Sequence, residues 1–313
     1  MTIEDRSFNK MVEDITNSTE EEVFLHIKNL FLSMSLDEQN KLKNYLNEFG
    51  YWGKLDMESD NYETFHIRAK VLKEHIKDFS WLYKKVKDYR SKRVLFFVLH
   101  NWYNLATAGL RMIRDNTFSQ YFDLDILKCD KNEVIVDLGA YKGDTIQSYL
   151  KEYGVDSYKK IYAYEISNNI YNELKNNLIN YNNIYCFNKA VTDKVGLVGI
   201  QNHVHYDTAN KVSEDSDILV ESTYLDEDIK EKITLLKMDI EGSEKLAING
   251  SKNHIINDNP KLLLSVYHNY EDLYKVPRMI DKLNKNYDYY LRYYGYFIFP
   301  SEIVLFAIPK ESE

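Results

Sequence analysis

Two aspartates frame a glycine-containing turn, Gly139 to Gly143, which lies between an apolar run, Val134–Leu138, and a run with a helical pattern, Asp144–Tyr153. A strand that turns through glycines into a helix brings a nucleotide-like ligand close to backbone N–H groups. The spacing is Gly-x-x-x-Gly, not Gly-x-Gly-x-x-Gly, and Asp137 and Asp144 would repel a pyrophosphate. A ligand with a positive centre and free ribose hydroxyls, such as S-adenosylmethionine, suits the turn better. The alternative is a glycine-rich turn of another Rossmann-like domain.

A second carboxylate, Glu165, ends the next apolar run, Ile161–Glu165, about 25 residues after the glycines, near the offset at which an acidic residue binds ribose hydroxyls. Both hydroxyls of a ribose can donate to one carboxylate. A surface glutamate at a strand end is the alternative. The third run, Ile184–Phe187, is followed by Asn188, Ala190 and Val191, which we expect to line the adenine.

Three more carboxylates lie at or just after the end of the fourth apolar run, Leu235–Ile240. They are Asp239, Glu241 and Glu244. If the strand continues, Asp239 and Glu241 point the same way. Such a carboxylate could hold the cationic methionine end of the cofactor, act as a general base, or join a Mg²⁺ site. These interpretations stay open, and no metal is assigned. For Glu244 we favour a simple interaction with the helix dipole.

A histidine, His268, follows the fifth strand, where a substrate would face the cofactor. A structural histidine and a catalytic base are both compatible with this position. His203 and His205 lie in a polar stretch, 201–222, that we interpret as a loop inserted on the substrate side. No cluster of carboxylates and histidines with zinc-like spacing accompanies them, so we interpret them as loop residues that could contact substrate.

The elements that position these residues alternate from about residue 121 onward. Strands followed by helices predict a parallel sheet covered on both faces. The last two strands, Tyr287–Tyr294 and Ile303–Ile308, are joined by Gly295–Glu302, which is too short for a parallel crossover. The fold class is therefore α/β: a Rossmann-like, seven-stranded sheet of the class I methyltransferase type with an antiparallel last strand. Gly196–Ile200 is a possible extra strand, and Pro277 is expected near the start of a helix.

Residues 1–120 instead have helical periodicity, as in Val23, Ile27 and Phe31, and contain few glycines and prolines. Ser35 and Glu38 have the spacing of a capping box. We predict a helical N-terminal region, 1–120, for packing, dimerisation or substrate docking, and a methyltransferase domain, 121–313.

The composition excludes several classes of protein. The chain has 313 residues, of which 44% are hydrophobic, enough to form a hydrophobic core. Its net charge of −9 argues against a surface that binds nucleic acid. No apolar run is long enough to span a bilayer, and the polar N-terminus does not resemble a secretory signal. Cys129 and Cys186 lack metal-like spacing and suggest reduced thiols, so a cytoplasmic protein is expected.

Together these motifs resemble the FkbM family of methyltransferases over residues 120–309. The resemblance is carried by Val136–Asp144, Glu165, Ser222–Asp226, Leu236–Glu244 and the stretch from Tyr267 to Pro277. The family implies transfer of a methyl group from S-adenosylmethionine, with Asp137, Gly139 and Glu165 serving the cofactor. Asp239, Glu241 and His268 match family motif positions near the reaction centre and are the catalytic candidates. The full set of candidate cofactor residues is Asp137, Gly139, Ala140, Gly143, Asp144, Thr145, Glu165, Ile166, Asn188, Ala190, Val191 and Asp239.

The resemblance also implies an acceptor hydroxyl, typically on a sugar or polyketide. A sugar or glycan, such as a surface or flagellar glycan, is the first expectation, with an amine acceptor as a variant. A small-molecule natural product is the alternative acceptor. Two other classes remain: a non-catalytic cofactor-binding protein, and an NAD-dependent oxidoreductase, which the missing Gly-x-Gly-x-x-Gly disfavours. No nucleic-acid partner is expected, and the helical region could form a homodimer.

Overall fold

The computed structural model describes residues 1–201, 211–212, 216 and 218–311. Contacts divide the chain into two compact units. The first contains Met1–Asn116, Val266–Pro277 and Tyr289–Val304. The second contains Thr117–Ser265, Arg278–Asp288 and the chain from Leu305 onward. The predicted boundary between 120 and 121 is not tested by this division and stays a prediction.

Six helices precede the first strand, and their bounds are α1 Ile3–Asn17, α2 Glu20–Ser33, α3 Leu36–Phe49, α4 Glu63–Lys85, α5 Tyr89–Asn104 and α6 Ala108–Ile113. The apolar stripes seen in the sequence are the buried faces of these helices: Val23, Ile27 and Phe31 of α2 have no exposed surface. The predicted capping box is confirmed at the start of α3, where the Ser35 hydroxyl and the Glu38 carboxylate each accept a backbone N–H of the other residue.

The bounds of the remaining elements are β1 Val134–Leu138, α7 Asp144–Tyr153, β2 Lys160–Tyr164, α8 Asn168–Leu178, β3 Ile184–Phe187, β4 Ala190–Val191, β5 Gly196–Gln201, β6 Lys211–Val212, β7 Leu219–Thr223, α9 Leu225–Asp228, β8 Leu235–Met238, α10 Glu244–Asn249, β9 Lys261–Ser265, α11 Asp272–Leu283, β10 Tyr287–Tyr293 and β11 Ile303–Pro309. Strands and helices alternate as predicted, except for the run of strands from β3 to β7. A π-helix, His254–Asp258, follows α10. None of the helices among these residues is long and apolar enough to cross a membrane.

The main sheet has seven strands in the order β10-β11-β9-β8-β1-β2-β3. Strands β1, β2, β3, β8 and β9 run parallel, and the last strands are antiparallel, as the short connection predicted. Strand β1 lies between β2 and β8, and all five of its residues are buried. The chain therefore has the predicted α/β, seven-stranded methyltransferase fold, preceded by a helical N-terminal region.

Several local predictions differ from the structure. The fourth strand ends at Met238, not at Ile240, and it is followed by α10 and the π-helix. Pro277 lies inside α11, because that helix begins earlier, at Asp272, whose carboxylate accepts two N–H groups of Asn269.

The region after β3 also differs. The extra strand at Gly196 exists, but it belongs to a separate sheet of order β4-β7-β5-β6 that was not predicted. The stretch interpreted as a loop ends in strand β7. His203 and His205 lie outside the described residues.

Candidate functional site

The glycine turn follows β1 at the carboxyl edge of the parallel strands, as predicted. Gly139 has φ +75°, and a Cβ at this position would overlap the carbonyl oxygen of Asp239. Gly143 has φ +86° and is the residue before α7. Only glycine tolerates both the backbone conformation and the close approach at Gly139. The turn is therefore pressed directly against the segment that follows β8.

Backbone N–H groups of this turn bond within the chain. Gly139 and Ala140 both donate to the carbonyl of Tyr164, at 3.1 and 2.9 Å, and Gly143 donates to Ala140 at 2.8 Å. Tyr141 donates to the Glu165 carboxylate at 3.1 Å. A phosphate cradle needs such N–H groups turned toward the ligand. The turn is thus unlike a pyrophosphate-binding loop, in agreement with its spacing.

Glu165 directly follows β2 and is held by the backbone. Its carboxylate accepts N–H groups of Tyr141 and of Ser167, the latter at 2.8 Å. The side chain is only 7% exposed, and burial raises its pKa to about 7 against the lowering effect of these hydrogen bonds. Each oxygen accepts one of the two bonds and keeps further acceptor capacity. The carboxylate is therefore oriented and able to accept additional hydroxyl donors.

Asp137 forms a buried ion pair with Lys237 across the neighbouring strands β1 and β8. The two charged atoms are 2.9 Å apart, and the side chains are 2% and 4% exposed. Lys237 also donates to the carbonyls of Leu138 and Gly139, at 3.3 and 2.7 Å. The expectation that Asp137 would repel a pyrophosphate is wrong, because Lys237 neutralises Asp137 and ties the pair to the glycine turn.

The surroundings of this pair are largely apolar. A cavity of about 10 Å³, the space of one water, is lined by the pair together with Ile135, Ile161 and Leu263. Burial raises the pKa of Asp137, and Lys237 opposes that rise. For Lys237, burial lowers the pKa, but Asp137 and Asp239 outweigh it, so the net shift is upward. Lys237 stays charged in this environment.

Asp239 follows β8 next to the glycine turn, where its N–H donates to Leu138. The Tyr121 hydroxyl donates to its carboxylate at 2.6 Å and lies 3.0 Å from the Ser265 hydroxyl. Because the Tyr121 proton is used on Asp239, Ser265 is the donor in the second bond. Glu241 has φ +56° in the turn beyond the strand. The strand has ended before both residues, so its period of two does not apply, yet a carboxylate oxygen of Asp239 and one of Glu241 lie within 4.8 Å of each other, as expected.

Lys237, Tyr121 and Ser265 were missed in the sequence analysis. Lys237 carried a usable signal, because a lysine inside a short buried strand needs an acidic partner. Tyr121 and Ser265 carried none: Tyr121 is 118 residues from Asp239 along the chain. Such contacts follow from the order of the strands and not from local spacing.

The other cofactor candidates lie close to these elements. Asn188 uses its amide to donate to the carbonyls of Glu165 and Ile166, at 2.9 and 3.0 Å. Ala190 is buried in the small sheet, in a cluster against which Ile166 packs. Val191, in the same strand, is also buried. The adenine-side role of these residues stays a prediction, and Asn188 has a structural task in fixing the end of β2.

The first turn of α7 presents Asp144, which is exposed, and Thr145, which borders the small cavity. Glu244 is fully buried, and its carboxylate accepts the N–H of Ile240 at 3.0 Å. Glu244 lies in the first turn of α10, where the interaction with the helix dipole was expected, and its bond to Ile240 also fixes the turn after β8.

His268 belongs to the first unit and is buried there between aromatic rings. Its ring meets that of Tyr51 edge-on, with centroids 5.5 Å apart, and lies 4.2 Å from that of Tyr267. Asp239 and Glu241 belong to the second unit. The joint action of the three catalytic candidates stays a prediction.

The Ser222–Asp226 motif has a structural explanation. The Asp226 carboxylate accepts the N–H groups of Asn253 and His254, at 2.9 and 3.2 Å, at the start of the π-helix. Ser222 bonds to Thr192 at 2.7 Å within the small sheet. These residues hold the second unit together and are not assigned to the chemistry.

Three solved structures illustrate the likeness to known proteins. Methyltransferase FkbM from Methylobacillus flagellatus KT is 21% identical, with a TM-score of 0.67; the alignment covers 85% of this chain and 66% of that protein, just under two thirds. An rRNA methylase from Streptococcus thermophilus is 13% identical over 58% of this chain and 90% of that one, with a TM-score of 0.37. A putative methyltransferase from Streptococcus mutans, solved in complex with SAH, is 13% identical over 57% and 90%, with a TM-score of 0.36.

The first of these likenesses shows the fold, and the other two are too weak to carry an argument. Comparison with curated proteins finds no match. The model of the methyltransferase FkbM domain matches residues 137–298, more than half of the chain. This range begins at Asp137 of the buried pair and includes the glycine turn, Glu165, Asp239 and His268. The chain belongs to the FkbM methyltransferase family.

Proposed function

We propose that this protein is an S-adenosylmethionine-dependent methyltransferase. The observation that carries the proposal is the Glu165 carboxylate, oriented by two backbone N–H groups beside the glycine turn in a chain of the FkbM family. Its remaining acceptor capacity suits the two hydroxyls of a ribose. When bound, the cofactor supplies a methyl group already activated by a positive sulfur.

The arrangement around Asp137 supports the same function by positioning and not by direct attraction. Lys237 fixes the carbonyls of Leu138 and Gly139, and so fixes the path of the chain where the cofactor would lie. Asp239 is the carboxylate we assign to the cationic methionine end. Tyr121 donates to it, which stabilises the ionised form that a cation requires.

The candidates for the general base that removes the acceptor proton are His268, Glu241 and Asp239. Holding two reactants in line supplies much of the rate enhancement, and a positioned base adds to it. Asp239 already accepts the Tyr121 hydroxyl, so His268 is the preferred candidate. Its position after β9, the strand beside β8, supports this assignment.

The acceptor we propose is a hydroxyl of a sugar or glycan, such as a surface or flagellar glycan, with an amine as the variant. The support is family membership. A natural-product hydroxyl is the alternative, and it is distinguished by identifying the methylated compound. Incubation of the protein with labelled S-adenosylmethionine and cell extract, followed by mass spectrometry, should yield a methylated saccharide.

Cofactor binding is tested separately by calorimetric titration with S-adenosylhomocysteine and with NAD. Binding of the former alone is expected. Binding of NAD alone would replace the proposal by an oxidoreductase. Binding of S-adenosylhomocysteine with no methylated product from any extract would favour a non-catalytic binding protein.

The base is tested with His268→Ala in the same transfer assay. A loss of kcat of at least about 100-fold, with unchanged affinity for S-adenosylhomocysteine, is expected for a general base. An unchanged kcat at saturating acceptor would eliminate His268 from that role. Activity that is insensitive to EDTA would remove the metal-assisted variant in which Mg²⁺ joins the carboxylates.

A further inference from the structure

Two arginines of the first unit lie over exposed aromatic rings. The guanidinium carbon of Arg111 is 4.1 Å from the centroid of the Phe297 ring, and that of Arg114 is 5.5 Å from the centroid of the Tyr296 ring. Both arginines are exposed, and Tyr296 and Phe297 are 64% and 40% exposed. The arginines are about one helical turn apart and the rings are adjacent in the chain, so the four side chains form one surface, here called the arginine–aromatic patch.

The two guanidiniums have no acidic partner among the residues that the structure describes. Neither forms an ion pair with a carboxylate there, and neither side chain donates a hydrogen bond to another of these residues. Asp115, next to Arg114 in the chain, is buried and paired with Arg90. A guanidinium carries several N–H donors in a fixed fork, and contact with the face of a ring leaves those donors available. The patch therefore offers positive charge and N–H donors to a ligand, on a chain whose net charge is −9.

An acidic residue, Glu302, lies in the neighbourhood of the patch. Burial raises the pKa of the Tyr293 phenol, Glu302 adds to that rise and Arg114 opposes it. Both charges therefore act on the same phenol. Glu302 forms no ion pair with Arg114, so it does not occupy the N–H donors of the patch.

Backbone hydrogen bonds hold the two segments of the patch in place. Arg114 pairs with Tyr293 in a parallel bridge, and the N–H of Asp115 donates to the carbonyl of Tyr293 at 2.7 Å. The N–H of Tyr294 donates to the carbonyl of Glu302 at 3.0 Å and so closes the base of the connection that carries both rings. Segments that are already ordered lose little conformational entropy when a ligand binds. The patch is therefore a preorganised surface.

The same connection also supports the segment that carries His268. Phe299 packs on Trp52, with ring centroids 4.6 Å apart, and meets the ring of Tyr270 edge-on at 6.1 Å. The indole N–H of Trp52 donates to the carbonyl of Tyr267 at 2.8 Å. Tyr267 directly precedes His268, and Tyr270 follows shortly after it. The patch and the candidate base thus belong to one packed part of the first unit.

We propose that the arginine–aromatic patch binds a diphosphate group of the acceptor, which makes the acceptor a sugar linked to a diphosphate. This inference rests on the proposed function and narrows its substrate class. The N–H fork of an arginine matches two oxygens of a phosphate, and two arginines match the two phosphate groups of a diphosphate. A single carboxylate engages one fork and leaves the other unused. The patch fixes the charged end of the acceptor, and the sugar end is the part that His268 would deprotonate.

Larger anionic partners fit the patch less well. Membranes that carry anionic lipids attract clusters of about four to eight basic residues, whereas the patch consists of one pair of arginines. Nucleic acids need positive charge along a longer path, which a chain of net charge −9 does not favour. A diphosphate needs only the pair of guanidiniums.

The test of the site is titration calorimetry on the full chain, saturated with S-adenosylhomocysteine, in a buffer without divalent metal. The probe is inorganic pyrophosphate, and acetate is the comparison with a single carboxylate. Pyrophosphate should bind much more tightly than acetate. Arg111→Gln and Arg114→Gln should each weaken pyrophosphate binding about tenfold, and the double variant about 100-fold, as for the loss of charge-assisted hydrogen bonds. Arg6→Gln is the matched control and should bind pyrophosphate as wild type does, because Arg6 is an exposed arginine of the same unit that lies outside the patch and has no acidic partner among the described residues.

The labelled transfer assay with cell extract tests whether the bound group belongs to the acceptor. The methylated compound should contain a diphosphate in its mass spectrum, and pyrophosphate should inhibit its formation by the wild type. The double variant should form it at less than about a tenth of the wild-type rate when the extract is limiting, as expected from weaker acceptor binding. Its affinity for S-adenosylhomocysteine should be unchanged.

The outcomes separate this inference from the proposed function. Failure of pyrophosphate to bind, equal binding by the double variant, or equally tight binding of acetate each overturns the diphosphate site. Binding of the wild type to phosphatidylglycerol vesicles but not to pyrophosphate overturns it in favour of a membrane contact. A methylated saccharide without phosphorus overturns the role of the patch in acceptor binding and leaves methyl transfer to a sugar intact. A wild-type chain that does not bind S-adenosylhomocysteine overturns the proposed function itself.

Discussion

Replacing Lys237 with methionine keeps an unbranched side chain that is one atom shorter and leaves Asp137 buried without its cation. Both side chains of the pair are less than 5% exposed, so solvent cannot compensate for the loss. Removing one partner of such a pair costs about 3–5 kcal/mol of unfolding free energy. Two hydrogen bonds to the carbonyls of Leu138 and Gly139 are lost as well.

The cost of Lys237→Met should depend on pH in a defined direction. Burial raises the pKa of Asp137, and in the variant Lys237 no longer opposes that rise. The folded variant then binds a proton more tightly than the unfolded chain does. Its unfolding free energy is highest below the unfolded pKa of about 4 and falls as pH rises toward the folded pKa, by up to about 1.4 kcal/mol per unit. Below about pH 4 the remaining cost is about 1–2 kcal/mol, that of the lost hydrogen bonds, and at pH 5 the titration adds about 1.4 kcal/mol to it.

Urea unfolding followed by far-ultraviolet circular dichroism at pH 5 and pH 8 measures both effects. The double variant Asp137→Asn, Lys237→Met removes the buried charge and should recover at least about 2 kcal/mol of the loss at pH 8. A cost for Lys237→Met below about 1 kcal/mol, or one that is equal at the two pH values, would refute the ion pair as the origin. So would a double variant that is no more stable than the single one.

Three further predictions concern the cofactor site and its supports. Glu165→Gln should weaken S-adenosylhomocysteine binding by about 10–100-fold, as for the loss of a hydrogen bond to a charged group. In the wild type this affinity should increase as pH rises through about 7, the pKa of Glu165, because the ionised carboxylate accepts hydrogen bonds at both oxygens. Titration calorimetry should show that Glu165→Gln lacks this pH dependence. Gly139→Ala should lower the free energy of unfolding by more than about 3 kcal/mol, because its Cβ meets the Asp239 carbonyl. The control Gly154→Ala, also at positive φ but with open space around it, should lower it by about 1–2 kcal/mol. Equal urea midpoints for the two variants would contradict this prediction. Asp226→Ala should cost about 1 kcal/mol, measured by urea unfolding, with no change in cofactor affinity, and a change in affinity would show that the residue has more than a structural role.

Much of the site followed from local pattern. Four of the five residues before Gly139 are apolar, which predicts a buried strand, and β1 has the predicted bounds, Val134–Leu138. Glu165 directly follows the second strand, as expected, because the strand ended where the apolar alternation ended. The stretch 295–302 is too short for a crossover, and this alone required the antiparallel end of the sheet.

Local pattern failed where a residue's environment came from elsewhere in the chain. From the sequence, Asp137 was expected to meet the ligand as a negative charge, because nothing within a few residues neutralises it. Its partner, Lys237, comes from β8, which pairs with β1 in register Asp137 to Lys237. The end of β8 was also placed too late, at Ile240 and not at Met238. Both residues are apolar, and only the bond from Ile240 to Glu244 shows that Ile240 already belongs to the turn.

The order of hydrophobic runs and the lengths of their connections thus determined the sheet, the glycine turn and the place of Glu165. These features depend on periodicity and chain reach, which are local quantities. The tertiary structure alone decided that Lys237 neutralises Asp137, that Tyr121 holds Asp239 and that Tyr51 of the helical region lies against His268. These pairs are far apart in sequence, and their meeting depends on strand order and packing, which no local spacing encodes.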